Sequence, residues 1–282
     1  MSIRGCLFIF GLLVAGLLAG QDLQAAPDAQ FDGTVSPGGL IIGTTAPGNS
    51  VAVDGNPVRV SPAGLFLLGL GRDAAGDVRV DITGPDGVTS GQLIHIPARN
   101  YDIQRIDGLP RKQVTPDPET QERINAESGL IKAARRNDGA TAYFANGFRW
   151  PVTGPISGVF GSQRILNGEP RNPHNGTDIA AAEGTPIVAM GDGVVTLAND
   201  DMFYTGMTVM LDHGHGLTSV YAHMSDILVT EGQHVTKGTP IGKIGKTGRV
   251  TGPHLHWGVT LFATHLDPML VVSPMPEASG QD

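Results

Sequence analysis

Between residue 27 and about residue 100 the apolar positions fall in short alternating runs. In SVAVDGNPVRV, Val51 and Val53, then Val58 and Val60, stand on either side of Asp54-Gly55. Period-two alternation reads as strand, and Asp-Gly between two such runs reads as a tight hairpin turn. LFLLGL, DVRVDI and QLIHI follow, separated by turns such as Asp86-Gly87. Strands at this spacing predict a small β-sandwich over residues 26–100. The pattern then changes. TPDPETQERINAESGLIKAARRNDG reads as one helix, with acidic residues in its first turn and Arg135-Arg136 in its last. Those charges suit the helix dipole, and Asn137-Asp138-Gly139 would end it. The helix belongs to a connector, residues 101–146, read as a spacer; a lid over a site in the second half is the alternative. From Trp150 to about Val272 short strands return: TPIVAM, GVVTLA, MTVML, TSVYAHM and HLHWGV. Tight turns at Gly191-Asp192-Gly193 and Lys237-Gly238 join them. These predict an antiparallel β domain over 147–272, followed by a tail, 273–282. The fold class is therefore mainly β: a small sandwich, a helical connector and an antiparallel β domain.

Composition agrees with that reading. The 282 residues include 40 glycines and 20 prolines but only 5% aromatics, a profile of many turns and few long helices. The formal net charge is −8 and no basic cluster occurs, which argues against a nucleic-acid partner. The first residues, MSIRGCLFIFGLLVAGLLAGQDLQAAPD, place Arg4 before an uncharged apolar stretch and small residues at Ala25 and Ala26. This is a secretory signal pattern over 1–25, with cleavage expected after Ala25. The stretch is short of the roughly 20 apolar residues a spanning helix needs, so removal is favoured over anchoring. Cys6, the only cysteine, lies before the apolar run, which argues against a lipoprotein. Cleavage would remove it, leaving an exported chain, periplasmic or extracellular, with neither disulfides nor cysteine catalysis. No later segment is apolar enough to cross a membrane.

The chemistry concentrates in histidines of the second half. In TGPHLHWGV, His254 and His256 would project from one face of a strand while Leu255 and Trp257 project from the other. Packing gives no reason for adjacent imidazoles; a metal site or an acid/base pair does. In PHNGTDIAA, His174 and Asp178 stand four apart, in a glycine-containing turn that leads into a strand. Imidazole and carboxylate both suit zinc, although this spacing alone is common. With His256 they make three protein ligands, the number that leaves a catalytic zinc one open position. Spacing does not decide which member of the His254/His256 pair binds metal. His223, in VYAHMSD, is a further candidate, with a satisfied strand histidine as the plainer reading. His213 and His215, in LDHGHGL, read as a polar loop between strands, and His95 as an isolated structural histidine. IGKIGKTGRVTG is no phosphate loop, because Pro240 stands where the motif needs glycine. The sequon Asn175-Gly176-Thr177 lies inside the metal motif and is read as coincidence.

HNGTD, VYAHM and GRVTGPHLHWGV, in that order, resemble the lysostaphin-like (LytM-type) zinc endopeptidases of peptidoglycan. The flanking SGVFGSQR, GTPIVAMGDGVV and VTEGQHVTKGTPIGKIGKTG agree, and the resemblance covers roughly residues 150–270. It implies one Zn2+ per chain held by His174, Asp178 and His256, with His223 and His254 serving catalysis. One of these two would take the proton of the attacking water and pass it to the leaving amine, while the other stabilises the oxyanion. All five positions are filled; Gly258 departs from the pattern, since many relatives carry Glu there. The implied activity is hydrolysis of peptidoglycan stem-peptide cross-links by an exported metalloendopeptidase. A non-catalytic wall-binding protein or amidase regulator is the rival, disfavoured by the complete ligand set; a secreted protease acting on Gly-rich proteins is a second. Arg164 could contact substrate carboxylates, but an ordinary surface arginine is the favoured reading. The oligomeric state is left open.

Overall fold

The computed structural model describes residues 26–108 and 116–276. The signal-peptide reading of residues 1–25, and the tail beyond residue 276, lie outside the described residues. Asp54 and Gly55 both take positive φ, 47° and 79°, the geometry of a two-residue turn that matches strand twist. They join Ser50–Val53 to Asn56–Val58. Those two strands, with Gly76–Thr83 and Thr89–Ile96, make a four-stranded sheet. Ala29–Gly33, Leu40–Thr45 and Leu65–Gly69 make a three-stranded one. Val80, Ile82, Ile94 and Ile96 of the first sheet share a buried cluster with Ile41, Phe66 and Leu68 of the second. This is the expected sandwich.

The second half is built on a large antiparallel sheet. Its main path runs His234–Val235, Gly193–Met202, Gly206–Asp212, Leu217–Ile227, His254–Leu261, Thr177–Ala180 and Ile156–Gly158. Tyr221 lies opposite Trp257, and Ile179 opposite Leu255; all four side chains are fully buried on one face. At roughly 1.5–3 kcal/mol per large apolar side chain, this face fixes the register of the three strands that carry His223, His254 with His256, and Asp178. Leu40 and Leu67 of the sandwich belong to the same buried cluster, so the two halves share a core.

The segment between them is tied to the second half at three points. Ile103–Ile106 pairs in parallel with Gln163–Leu166. The helix spans Pro118–Arg135; Asp117 caps it by accepting from Thr120 N at 2.8 Å, and Lys132 and Arg135 fill its last turn. Ile131 and Ala134 pack on Leu197, Met202, Met210 and Val220. A short 3-10 turn, Tyr143–Asn146, then inserts Phe144 fully into the main core.

The polar-loop expectation for His213 and His215 is overturned. The turn forms, with Gly214, His215 and Gly216 all at positive φ, but both histidines are buried. His213 Nδ1 donates to Asp192 O at 2.6 Å, and its Nε2 lies 2.8 Å from Ser219 Oγ. The connector covers the turn: His215 N donates to Gly139 O, and the Phe144 ring meets the His215 imidazole edge-on at 5.1 Å. Among the described residues, no helix is long and apolar enough to cross a membrane.

Candidate metal centre

On the sheet face opposite that core, Asp178, His256 and Ala222 lie in one row across three neighbouring strands. His174 reaches the same point from the loop before Thr177–Ala180. Its backbone N donates to Ser162 O, and its Nδ1 donates to Val159 O at 3.1 Å. A carbonyl only accepts, so Nδ1 carries the proton and Nε2 turns a lone pair inward, the arrangement metal-binding histidines use. His174 Nε2 lies 3.1 Å from His256 Nδ1 and 3.0 Å from Asp178 Oδ1; the last two atoms are 2.8 Å apart. Ligand atoms about 2.0–2.1 Å from a tetrahedral zinc would be separated by about 3.3 Å. This triangle of two imidazole nitrogens and one carboxylate oxygen therefore fits zinc in both size and chemistry. It is a group of the kind that could hold a metal ion.

Glycines make room for it. A Cβ at Gly158, directly opposite Asp178, would collide with the carboxylate. At Gly176 it would lie 2.5 Å from Trp257 O and 2.8 Å from His256 Cε1. Burial by itself would raise the Asp178 carboxyl, but the His174 and His256 imidazoles beside it hold it far below its ordinary range. Burial pushes the His174 imidazole down. Both shifts favour the deprotonated donors a metal needs.

His223 and His254 stand beside the triangle. His254 Nδ1 donates to Gly252 O at 2.9 Å, and its Nε2 lies 3.9 Å from Asp178 Oδ1. The ring centroids of His223 and His254 are 4.9 Å apart. Strict alternation would turn His223 toward the core beside Tyr221. Instead, Ala222 and His223 together face Thr208 alone, because Met224 pairs with Met207 and Tyr221 with Val209. This is a β-bulge, and His223 takes φ 64°, a strained value for a non-glycine residue. The extra residue aims His223 at the site and returns Met224 to the core. Its Nδ1 donates to Thr247 O at 2.9 Å, and burial pushes its imidazole down to about 3. The five histidine and aspartate positions singled out in the sequence thus converge, whereas His95, His213 and His215 lie elsewhere.

The surface reading of Arg164 is overturned: the residue stands on Gln163–Leu166 with Nη2 3.3 Å from Asp178 Oδ2. Two further arginines were missed from the sequence. Arg249 and Arg171 line the cavity that opens from His256 toward Tyr204, and Arg249 stacks 4.2 Å over the Tyr204 ring. Arg249 sits within the same GRVTGPHLHWGV stretch as the paired histidines, a position that could have flagged it. No residue of the connector helix lines either cavity at the triangle.

Residues 172–268 match the model of peptidase family M23. The chain is 38% identical over 169 residues to peptidoglycan DD-endopeptidase ShyA of Vibrio cholerae, covering 54% of this chain and 39% of that protein. It is 41% identical over 109 residues to the DD-carboxypeptidase/endopeptidase Mpg of Neisseria meningitidis, covering 39% and 25%. The chain thus spans two fifths or less of the length of these curated relatives. A crystal structure from Pseudomonas aeruginosa, described provisionally as an M23 peptidase, superposes with a TM-score of 0.63 at 29% identity. The overlap covers 84% of this chain and 95% of that one. The donor triangle and both flanking histidines fall within the segment, residues 172–268, that is similar to peptidase family M23.

Proposed function

We propose that this chain is a zinc-dependent endopeptidase that hydrolyses peptide cross-links of bacterial peptidoglycan outside the cytoplasm. The observation that carries the reading is the triangle of His174 Nε2, Asp178 Oδ1 and His256 Nδ1, flanked by two more imidazoles whose Nδ1 atoms are spoken for. Zinc held by these three donors would supply Lewis acidity toward a peptide carbonyl and a neighbouring water. His223 and His254, protonated at Nδ1 by the geometry of Thr247 O and Gly252 O, keep Nε2 for proton transfer. One accepts the proton of the attacking water at Nε2 and passes it to the leaving amine. The other, once protonated, donates from Nε2 to the oxygen that becomes negative. The sandwich of 26–100 and the connector of 101–146 are the accessory parts, and 147–272 is the catalytic domain. Similarity to relatives named peptidoglycan endopeptidases supports the substrate, and the signal pattern of 1–25 supports export.

The test is digestion of purified cell-wall sacculi by the mature protein, with new termini identified by mass spectrometry. We expect new amino termini within cross-links, none after chelation, and recovery on adding zinc. Binding to sacculi with no new termini would favour a non-catalytic wall protein instead.

A further inference from the structure

The connector helix packs on the sheet face that carries the triangle. Ile131 and Ala134 rest on Val220, which pairs with Gly258, two residues along from the Ala222–His256 pair. The end of the helix meets the Thr264–Leu266 strand, where His265 stands opposite Thr260 on that same face. Between them is a cavity of about 420 Å³, lined by Lys132, Arg135 and Arg136 from the helix and by Phe262, Ala263 and His265 from the other side. No carboxylate lines it, although the sequence holds 27 acidic residues against 19 basic ones. His265 also lines a neighbouring depression that reaches Pro173 and Asn175, and those two residues line the cavity at His256. A row of depressions therefore leads from the triangle to the basic end of the helix.

Interaction with the helix dipole explains basic residues in a last turn, but it leaves them in solvent. Arg135 is half-buried, its Nε is enclosed without a hydrogen-bond partner, and burial works against its charge. His265 Nδ1, across the cavity, is likewise enclosed and unpartnered. Among the described residues, no ion pair involves Lys132, Arg135 or Arg136. Three cations thus surround one concave space without a counter-charge, and a ligand carrying a carboxylate would supply it. We propose that this cavity is a second binding site for the wall polymer. It takes a carboxylate of the polymer remote from the scissile amide, against the apolar wall of Phe262 and Ala263, and so makes the connector helix an anchor for polymeric substrate. The proposal rests on the endopeptidase reading for the identity of the polymer. A concave site at the end of a row of depressions suits an extended chain laid along the face from the triangle; it does not suit a flat bilayer.

The experiment measures co-sedimentation of the full mature chain with purified sacculi, with His254→Ala present throughout so that nothing is cleaved. We expect K132Q/R135Q/R136Q to raise the Kd about tenfold, and amidation of the sacculus carboxylates to do the same for the protein that keeps all three cations. Loss of three last-turn cations can also loosen the helix, so A263E makes a second test. It leaves the cations in place and sets a carboxylate against them from an exposed turn. A263E should weaken binding as the triple variant does, and A263Q should not. Equal binding by all four proteins, or binding indifferent to amidation, overturns the proposal. Weakening in the triple variant alone, with A263E binding normally, attributes the loss to the helix and overturns it too. So does cation-dependent sedimentation with phosphatidylglycerol vesicles and not with sacculi, which assigns the cavity to a lipid surface. The peptidase reading fails separately. Cation-dependent binding of sacculi, with no new termini released by the protein carrying His254, sinks that reading and leaves the second site standing. New termini with cation-independent binding do the reverse.

Discussion

Asp178 lies directly opposite His256 on adjacent antiparallel strands, with Oδ1 2.8 Å from Nδ1. The pair therefore needs no loop ordering; it is fixed by the same register that buries Ile179 against Leu255. Only His174 reaches the triangle from a loop, and two backbone hydrogen bonds to that segment hold it. A site preformed on strands should bind metal without a large rearrangement.

Mature protein purified gently should contain one zinc per chain by elemental analysis. Asp178→Ala should lose most of it, because two imidazoles alone make a weak site. Since metal binds the folded state, chelation should lower the thermal midpoint and added zinc restore it; a ligand at 100 times its Kd stabilises by about 2.7 kcal/mol. An unchanged midpoint and full activity after complete removal would sink the zinc assignment.

His223→Ala and His254→Ala should keep the zinc and lose turnover. A positioned general acid or base contributes about 10²–10⁴-fold. The double variant should be little worse than either single one, since both serve one proton-transfer sequence. Zinc content and cleavage rate are read on the same folded sample. Loss of zinc in either single variant, with retention in His256→Ala, would reverse the ligand assignment.

Gly158→Ala should weaken zinc binding with little loss of secondary structure. The new methyl meets the Asp178 carboxylate, a side chain that can move aside only by leaving the triangle. Zinc affinity by competition with a chromogenic chelator reads this out. Gly55→Ala makes the control, as nothing lies within 4 Å of a Cβ there. Its positive φ should cost about 1 kcal/mol of stability while zinc affinity stays unchanged.

Stability should fall on acidification through the titration of His213. Burial pushes this imidazole from 6.5 down to about 4, with Nδ1 and Nε2 both engaged. The unfolded chain binds its proton first, so the contribution is fully present above pH 6.5. It is lost as pH falls from there to about 4, by roughly 3 kcal/mol. Urea unfolding of the protein and of His213→Gln between pH 7.5 and 4 checks this: the variant should start less stable and show a shallower decline.

A chain beginning near Ala145 should be markedly less stable than the full mature protein, because it lacks Phe144. Phe144 is fully buried in the main core, and deleting such a ring costs about 3–5 kcal/mol. Phe144→Ala in the full chain isolates that loss from the loss of the helix and of Ile103–Ile106. Thermal midpoints of the two proteins make the comparison, and an unchanged midpoint for Phe144→Ala would show that Phe144 does not anchor the connector.

The sequence by itself determined what depends on neighbours along the chain. Alternation put His254 and His256 on one face and Leu255 and Trp257 on the other; that is a property of any strand, whatever it packs against. Asp54-Gly55 set a hairpin, and Asp117 with Lys132 and Arg135 set the ends of a helix, because turns and caps are satisfied locally. Tertiary structure decided what depends on distant segments. His223 points at the site only because Ala222 and His223 share one partner, Thr208, across the Gly206–Asp212 strand; from its own sequence the residue would face the core. His213 and His215 are buried because a connector some 70 residues upstream in sequence from them folds across their turn. Arg164, Arg171 and Arg249 carry no shared spacing and meet only where Gln163–Leu166 and the loop before His254–Leu261 come together around one cavity. Register, bulges and convergence of loops are settled by burial of the opposite face, and that burial exists only in the folded chain.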